Sequence, residues 1–442
     1  MNTTADTLSH LSYSDIKNIY ISGFKPKSDL KIGLEYERLP VNCIDGQAAA
    51  YCGENGICEF LRSFARFENW DYITDNLNII GLKQCHDTIT LEPGCQLEFS
   101  LEPKTNISEL EQRVNTLDNL MKPFLEQKQI KLLKYGVSPV STYKNIRLIP
   151  KKRYEIMAKY LWGILADVMM RETAGIQGTF DFTDEEDAMR KFRIANMLSP
   201  FVTAMFANSP IRGGVDTGYK SFRALSWLNT DNDRCGFFCD FDDVSKSFDS
   251  YIDKVLEIPM LFINRNDEPF VISGDKNFKD YMEYGHAGFN ACMEDYLLQA
   301  NLCFPEVRLR NFIEVRNHDC CNGSAPFAML ALYKGILYSD TAIEDIEALL
   351  KDLSKEDYTE LRYNVPKYAL QTPLKNGSIL PFAKEIVSIA EHGLREAYPQ
   401  EAVYLEYIKQ YITDGLSPAD VTLKNWYGSW NKNIDNLLAY YS

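Results

Sequence analysis

Glu35 and Glu37 stand one residue apart in K31-I-G-L-E-Y-E-R-L-P40. In an extended chain, side chains alternate faces, so Ile32, Leu34 and Tyr36 share one side while Gly33, Glu35 and Glu37 share the other. The two carboxylates are then about 6.5–7 Å apart on one face. Such a pair can be a solvated edge, or it can gather cations. T90-L-E-P-G-C-Q-L-E-F-S-L-E-P103 repeats the theme: after a Pro93-Gly94 turn, Gln96, Glu98 and Ser100 alternate with Leu97, Phe99 and Leu101. A third stretch, F304-P-E-V-R-L-R-N-F-I-E-V-R-N-H-D319, sets Glu306, Arg308, Arg310, Phe312, Glu314, Arg316 and His318 against Val307, Leu309, Ile313 and Val315. Read alone, that face is a self-neutralising Glu/Arg ladder on a wet sheet. It would equally hold a metal ion beside a phosphate, because arginine presents a fork of donors to oxyanions.

Three strands that each carry an acid in an apolar frame suggest faces that meet. Converging carboxylates repel and raise one another's pKa unless cations bind. An all-oxygen set suits Mg²⁺ or Mn²⁺ and not zinc, and magnesium seldom receives a complete protein cage, so substrate phosphates are the expected remaining ligands. The chemistry therefore points to a nucleotide. Neither G-x-x-x-x-G-K-[ST] nor G-x-G-x-x-G occurs, so the usual glycine-rich phosphate cradles are not available.

These strands need a scaffold. The expected extended segments are Ile32–Leu39, Thr88–Leu101, Ile176–Phe182 and Val307–Arg316, separated by long helical stretches, an α+β pattern without regular βαβ alternation. Thr183 with Glu186 reads as a capping box opening a helix toward Phe206, with Pro200 as a kink or break. Ser417-Pro418-Ala419-Asp420 reads as another helix start. No repeat or low-complexity linker divides the 442 residues, so residues 1–442 read as one catalytic-size unit. The C-terminal aromatics, N425-W-Y-G-S-W-N431 and Tyr440-Tyr441, are expected to pack the last helix on the body, His86 to sit in a loop, and His318 to order a sheet edge.

Net charge is −15, which disfavours nucleic acid and anionic membrane surfaces as partners. No apolar run approaches a membrane span, and M1-N-T-T-A-D-T-L-S-H10 lacks the pattern of a secretory signal, so a cytoplasmic protein is expected. The eleven cysteines show no C-x-x-C spacing and are expected to be reduced thiols, with a pairing among Cys43, Cys52 and Cys58 left open.

Taken together, K31-I-G-L-E-Y-E37, I80-G-L-K83, L91-E-P-G-C-Q-L-E-F99, R190-K-F-R193, L198-S-P-F-V-T-A-M-F-A-N-S-P210, D231-N-D-R234, F304-P-E-V-R-L-R310, I313-E-V-R316 and V365-P-K-Y-A-L-Q-T-P373 make the chain resemble the glutamate-cysteine ligases, most of all their plant and proteobacterial branch. The resemblance runs from about Phe24 to the C-terminus. It implies a glutamine synthetase-like catalytic fold, a largely antiparallel sheet forming an open, barrel-like funnel surrounded by helices. It also implies ATP-dependent γ-glutamyl amide formation from glutamate and cysteine, the first step of glutathione-type thiol synthesis. Glu35, Glu37, Glu98 and Glu314, with Gln177, match positions implied to hold roughly two or three Mg²⁺ ions around ATP. Arg316 and Arg234 match phosphate-facing catalytic positions, and Arg223 and Trp227 match the glutamate site, with Arg223 on the α-carboxylate. Departures from the pattern are Glu172 beside Arg171, Cys95 for glycine, S100-L-E-P103 for a run of small residues, and Thr179 for asparagine. They leave two alternatives open, a ligase of the same chemistry with another amine, and a non-catalytic relative that binds ATP and an amino acid. Oligomeric state is not legible.

Overall fold

The computed structural model describes residues 11–236, 240–266, 268–272 and 276–442. The leader reading of residues 1–10, and Cys239, lie outside the described residues. Nine strands make one open sheet: β1 Ile32–Asn42, β2 Asp71–Asp75, β3 Asn78–Gln84, β4 Asp87–Leu91, β5 Leu97–Ser100, β6 Ile130–Leu133, β7 Gly175–Phe180, β8 Val307–Leu309 and β9 Ile313–Asp319. The order is β8-β9-β7-β1-β5-β4-β3-β2, with β6 on the far end of β1, and every pairing is antiparallel. The α+β reading holds, and the sheet does not close into a barrel.

One face of the sheet is the core. Leu34 and Tyr36 of β1, Ile176 and Phe180 of β7, Phe99 of β5 and Val315 of β9 are all buried. Among the helices around this sheet are α1 Lys152–Tyr160, α2 Glu185–Met205, α3 Phe222–Leu228 and α4 Ala325–Leu337, and near the C-terminus follow α5 Pro418–Tyr427 and α6 Ile434–Tyr441. Helix α4 packs on β1 and β7, while α2 packs on β9. All thirteen residues of α4 are buried, as expected of a helix that is apolar all round. Each leucine or phenylalanine it contributes is worth about 1.5–3 kcal/mol on transfer from water.

Several boundaries differ from expectation. The Thr88–Leu101 segment is a hairpin, β4 and β5 joined by a turn over residues 92–96. The 304–319 stretch is likewise folded: β8 turns back through residues 310–312 into β9, where the Arg310 guanidinium lies over the Phe312 ring. A bulge between Val315 and His318 then shifts the register, leaving His318 opposite Ile176. Glu306 lies before the hairpin and leaves the charged face, binding Arg362 at 2.8 Å and the Ser199 hydroxyl. Helix α2 is capped by Asp184, whose carboxylate accepts from the Asp187 amide, while Asp187 in turn accepts from Thr183. The cap is thus one residue later than expected, and the helix runs through Pro200 without a break. Ser417 and Asp420 do form a capping box at α5, with Pro418 in the first turn. The C-terminal aromatics pack as expected, with Trp430 on Tyr440 and Tyr441 on Tyr135. Every described cysteine is a free thiol.

Candidate active site

Residues directly opposite one another in antiparallel strands share a face. Glu35 is opposite both Ser100 and Gln177, Glu37 is opposite Glu98, and Glu98 is opposite Thr90. Glu314 is opposite Thr179 on one side and Arg308 on the other. Five strands therefore deliver Glu35, Glu37, Glu98, Gln177, Glu314 and Arg308 to the face away from the core. The acids of β1, β5 and β9 singled out in the sequence do meet, because period-2 alternation holds through the part of each strand that carries them. Gly33, on the same face, has no room for a side chain: a Cβ there would sit 2.3 Å from the Thr179 hydroxyl.

A cleft of about 840 Å³ opens over this face, lined by Glu35, Glu37, Glu98, Gln177, Arg308 and Arg316 among others. One polar chain crosses it. Gln177 donates Nε2 to Glu37 Oε1 at 3.1 Å and accepts from Arg316 through Oε1. Arg316 also donates to Glu314, which is held from its other side by Arg308 through Nε at 2.8 Å and Nη2 at 2.9 Å. Glu37 accepts a further bond from the Gly175 amide, and Glu98 accepts from the Thr90 and Ser100 hydroxyls at 3.0 and 3.1 Å.

The electrostatics separate these acids into two kinds. Burial pushes Glu35 and Glu37 up to about 7, with Glu314 adding to the first and Glu92 to the second against the pull of nearby arginines. Glu98 is raised well above the usual carboxylate range by burial and by Glu35, Glu92 and Glu37. Burial also acts on Glu314, but Arg308, Arg316 and Arg310 outweigh it and hold that group at about 2. Glu314 is thus a buried arginine partner, whereas Glu35, Glu37 and Glu98 are half-buried acids short of positive charge. Among the described residues no three acidic, histidine or cysteine side chains are arranged to hold a metal ion by themselves.

At one end the cleft continues into a recess of about 510 Å³ lined by Glu37, Glu92, Arg223, Trp227, Phe304 and Arg316, with Met157, Met169 and Met170 giving apolar wall. Helix α3 brings Arg223 and Trp227 here. Its start is tied to the sheet by Asp319, which accepts from Ser221 and Ser209 at 2.8 and 2.6 Å, while Ser209 accepts from the Arg223 amide at 3.1 Å. The Arg223 guanidinium donates to the Arg316 carbonyl at 3.0 Å. Arg234 is not brought to the cleft: it is buried and donates Nε to Asp231 at 2.7 Å. His318 is wholly buried, bonded to the Ile176 carbonyl at 3.1 Å between the rings of Phe206 and Tyr333, and so orders the sheet without reaching the cleft.

The departures fall around the site. Glu172 is buried away from the acid wall and pairs with Arg212 at 2.5 and 2.7 Å. Cys95 lies in the 92–96 turn with φ +72°, a left-handed conformation that favours the glycine expected there. Thr179 stands on the cleft face. Four charged cleft residues carry no role in the sequence reading: Glu92, Lys151, Arg153 and Arg308. Arg308 belongs to the charged alternation, and Glu92 sits in the conspicuous L91-E-P; nothing in the run from Pro150 to Arg153 distinguishes its cations from solvated ones.

The family model described as glutamate-cysteine ligase family 2 matches residues 31–438. Over 430 residues the chain is 33% identical to glutamate-cysteine ligase B, chloroplastic, of Oryza sativa subsp. japonica, covering 96% of this chain and 86% of that one. It is 32% identical over 434 residues to the chloroplastic glutamate-cysteine ligase of Arabidopsis thaliana, covering 96% and 82%. In fold it matches a glutamate-cysteine ligase of Francisella tularensis solved in complex with AMP, at TM-score 0.58, 13% identity and coverage of 93% and 87%. A bifunctional glutathione synthetase of Pasteurella multocida matches at TM-score 0.56, 10% identity and coverage of 93% and 51%. A family match over nearly the whole length, on a chain whose family acids share one face of the sheet, places this protein in the glutamate-cysteine ligase family 2.

Proposed function

We propose that the chain is an ATP-dependent ligase that joins the γ-carboxylate of glutamate to the amine of cysteine. The observation that carries this reading is the acid wall of Glu35, Glu37 and Glu98 running through Gln177 and Arg316 into a recess headed by Arg223 and Trp227. In this reading the Arg223 guanidinium pairs the α-carboxylate of glutamate and Trp227 covers its stem, so that the γ-carboxylate points toward Arg316. A γ-carboxylate oxygen attacks the terminal phosphorus of ATP, and ADP departs with the electrons of the broken P–O bond. The amine nitrogen then attacks the acyl phosphate carbon, phosphate leaves with the C–O electrons, and the amine proton passes to phosphate or solvent. Arg316 would offset charge on the transferring group, and Gln177 holds Arg316 toward the acids.

The donor set fits divalent ions. Four carboxyls (Glu35, Glu37, Glu92, Glu98) and four cations (Lys151, Arg153, Arg308, Arg316) line the cleft and formally cancel. A triphosphate of about four negative charges then calls for about two divalent cations, which Glu35, Glu37, Glu98 and Gln177 would hold together with phosphate oxygens. Mg²⁺ bound there supplies charge neutralisation and alignment of the phosphates. Glu314, occupied by Arg308, would serve by fixing the arginines. Purified protein with ATP, Mg²⁺, glutamate and a panel of amines tests the reading: cysteine-dependent ADP release with γ-glutamylcysteine as product is expected. Preference for another amine would move the acceptor, and no release with any amine would favour a non-catalytic relative.

A further inference from the structure

The start of helix α1 borders the cleft that the acid wall lines, and it carries two cations, neither of them in an ion pair among the described residues. Lys151 and Arg153 line the same cleft as Glu35, Glu37 and Glu98, yet neither forms an ion pair among the described residues. The ammonium of Lys151 has the Tyr154 hydroxyl at 3.3 Å and the Tyr154 ring centroid at 4.5 Å. Arg153 donates Nη2 to the Asn301 carbonyl at 2.9 Å, while its Nε is buried without a partner. A guanidinium donor buried unpaired is costly unless something else supplies the acceptor. The helix carrying both groups is fixed to the wall, because Tyr154 donates to Glu92 Oε1 at 3.2 Å.

We propose that Lys151 and Arg153 form a phosphate grip for the triphosphate of a nucleoside triphosphate bound in the cleft that the acids line. The inference rests on reading the cleft as a nucleotide site, not on the amide-forming step. Lysine offers a mobile point charge and arginine a directed fork, the pairing that phosphoryl groups take elsewhere. An amino-acid carboxylate is a poorer candidate. Arg223 already heads the adjoining recess, and neither Lys151 nor Arg153 lines it.

The test uses the full chain with Mg²⁺ and no amino acids, titrated calorimetrically with ATP and separately with AMP. Lys151→Met changes a helix-flanking residue whose side chain makes no capping bond, so folding is retained. Arg153→Lys keeps the charge and loses the fork, and Arg153→Met loses both; thermal unfolding confirms that each is folded. The expected result is ATP affinity weakened about tenfold or more by Lys151→Met and Arg153→Met, with partial rescue in Arg153→Lys and AMP affinity unchanged within about twofold. Equal weakening of AMP and ATP would overturn the proposal, as would unchanged ATP affinity with a raised KM for either amino acid. A wild-type protein that binds ATP but yields no amide would remove the ligase reading and leave this grip standing.

Discussion

Both carboxylate oxygens of Glu314 are engaged by arginine: Arg308 holds them in parallel, and Arg316 adds a third bond to Oε1. The sequence pattern marks this residue as one more metal acid, and its chemistry in place is different. A carboxylate drawn down to about 2 by arginines in a buried setting binds those arginines as its primary task. Removing the charge strands the Arg308 guanidinium, which is itself buried. Breaking a buried pair by neutralising one partner costs about 3–5 kcal/mol. Glu314→Gln is therefore expected to lower the free energy of unfolding by about 3 kcal/mol in metal-free buffer, as well as to reduce turnover. Urea unfolding with a chelator present decides the matter, since a residue that served only as a metal ligand would leave metal-free stability unchanged. By contrast Glu35, Glu37 and Glu98 have no such partners, and sequence alone does not separate the two kinds. Alternation tells which face a side chain takes, whereas charge partners come from strands distant in the chain.

At the scale of elements, α3 works as a lever whose position depends on β7 and β9. Asp319 at the end of β9 fastens the serines at its start, and Gly175 at the start of β7 leaves the space that the Arg223 guanidinium fills. A Cβ on Gly175 would lie 2.4 Å from Arg223 Nη2, and its backbone is ordinary strand, so Gly175→Ala acts by displacement alone. We expect it to raise the glutamate KM by about tenfold or more while the ATP KM stays within about twofold. Steady-state kinetics with each substrate varied in turn measures this, and a parallel rise in both constants would refute the lever. How much of this is legible in sequence differs by element. The faces of β1, β5 and β9 are legible around Glu35, Glu37, Glu98 and Glu314, where core-facing and cleft-facing residues alternate, whereas the bulge that carries His318 off the charged face is not. The 304–319 stretch reads as one strand because the alternation keeps its phase on either side of Arg310–Phe312, although Asn311 at an apolar position and Phe312 at a charged one break it where the chain in fact turns. The start of α2 is displaced by one residue from its expected place because Thr183, Asp184 and Asp187 can each cap, and only the backbone geometry chooses among them. Pro200 is a natural place to break α2, but sixteen buried residues along this helix hold it in register.

Across the whole molecule, acid sensitivity provides a test of how the sheet is joined to its helical backing. His318 sits where β9, β7, α2 and α4 meet: its Nδ1 faces the Ile176 carbonyl, its ring lies between Phe206 and Tyr333, and its Nε2 is buried without a partner. The charged group facing it is Arg223, and burial together with that guanidinium depresses its pKa to about 3 against the weaker pull of the carbonyl. The unfolded chain, with an ordinary histidine near 6.5, takes up the proton first as pH falls. Between about 6.5 and 3 the unfolded state therefore binds more protons than the native one, so stability rises with pH across that window and is lost as pH drops through it. The contribution is complete above the unfolded value. His318→Phe keeps a ring between the two aromatics and removes the titration. Its unfolding free energy, followed by urea denaturation from pH 7 to pH 4, should fall less steeply than that of the wild type by about 1.4 kcal/mol per pH unit. Its stability at pH 7 should be lower, because the bond to the Ile176 carbonyl is gone. Equal slopes in the two proteins would mean that His318 charges in place, and that the junction between sheet and helices opens to water before the rest of the fold gives way.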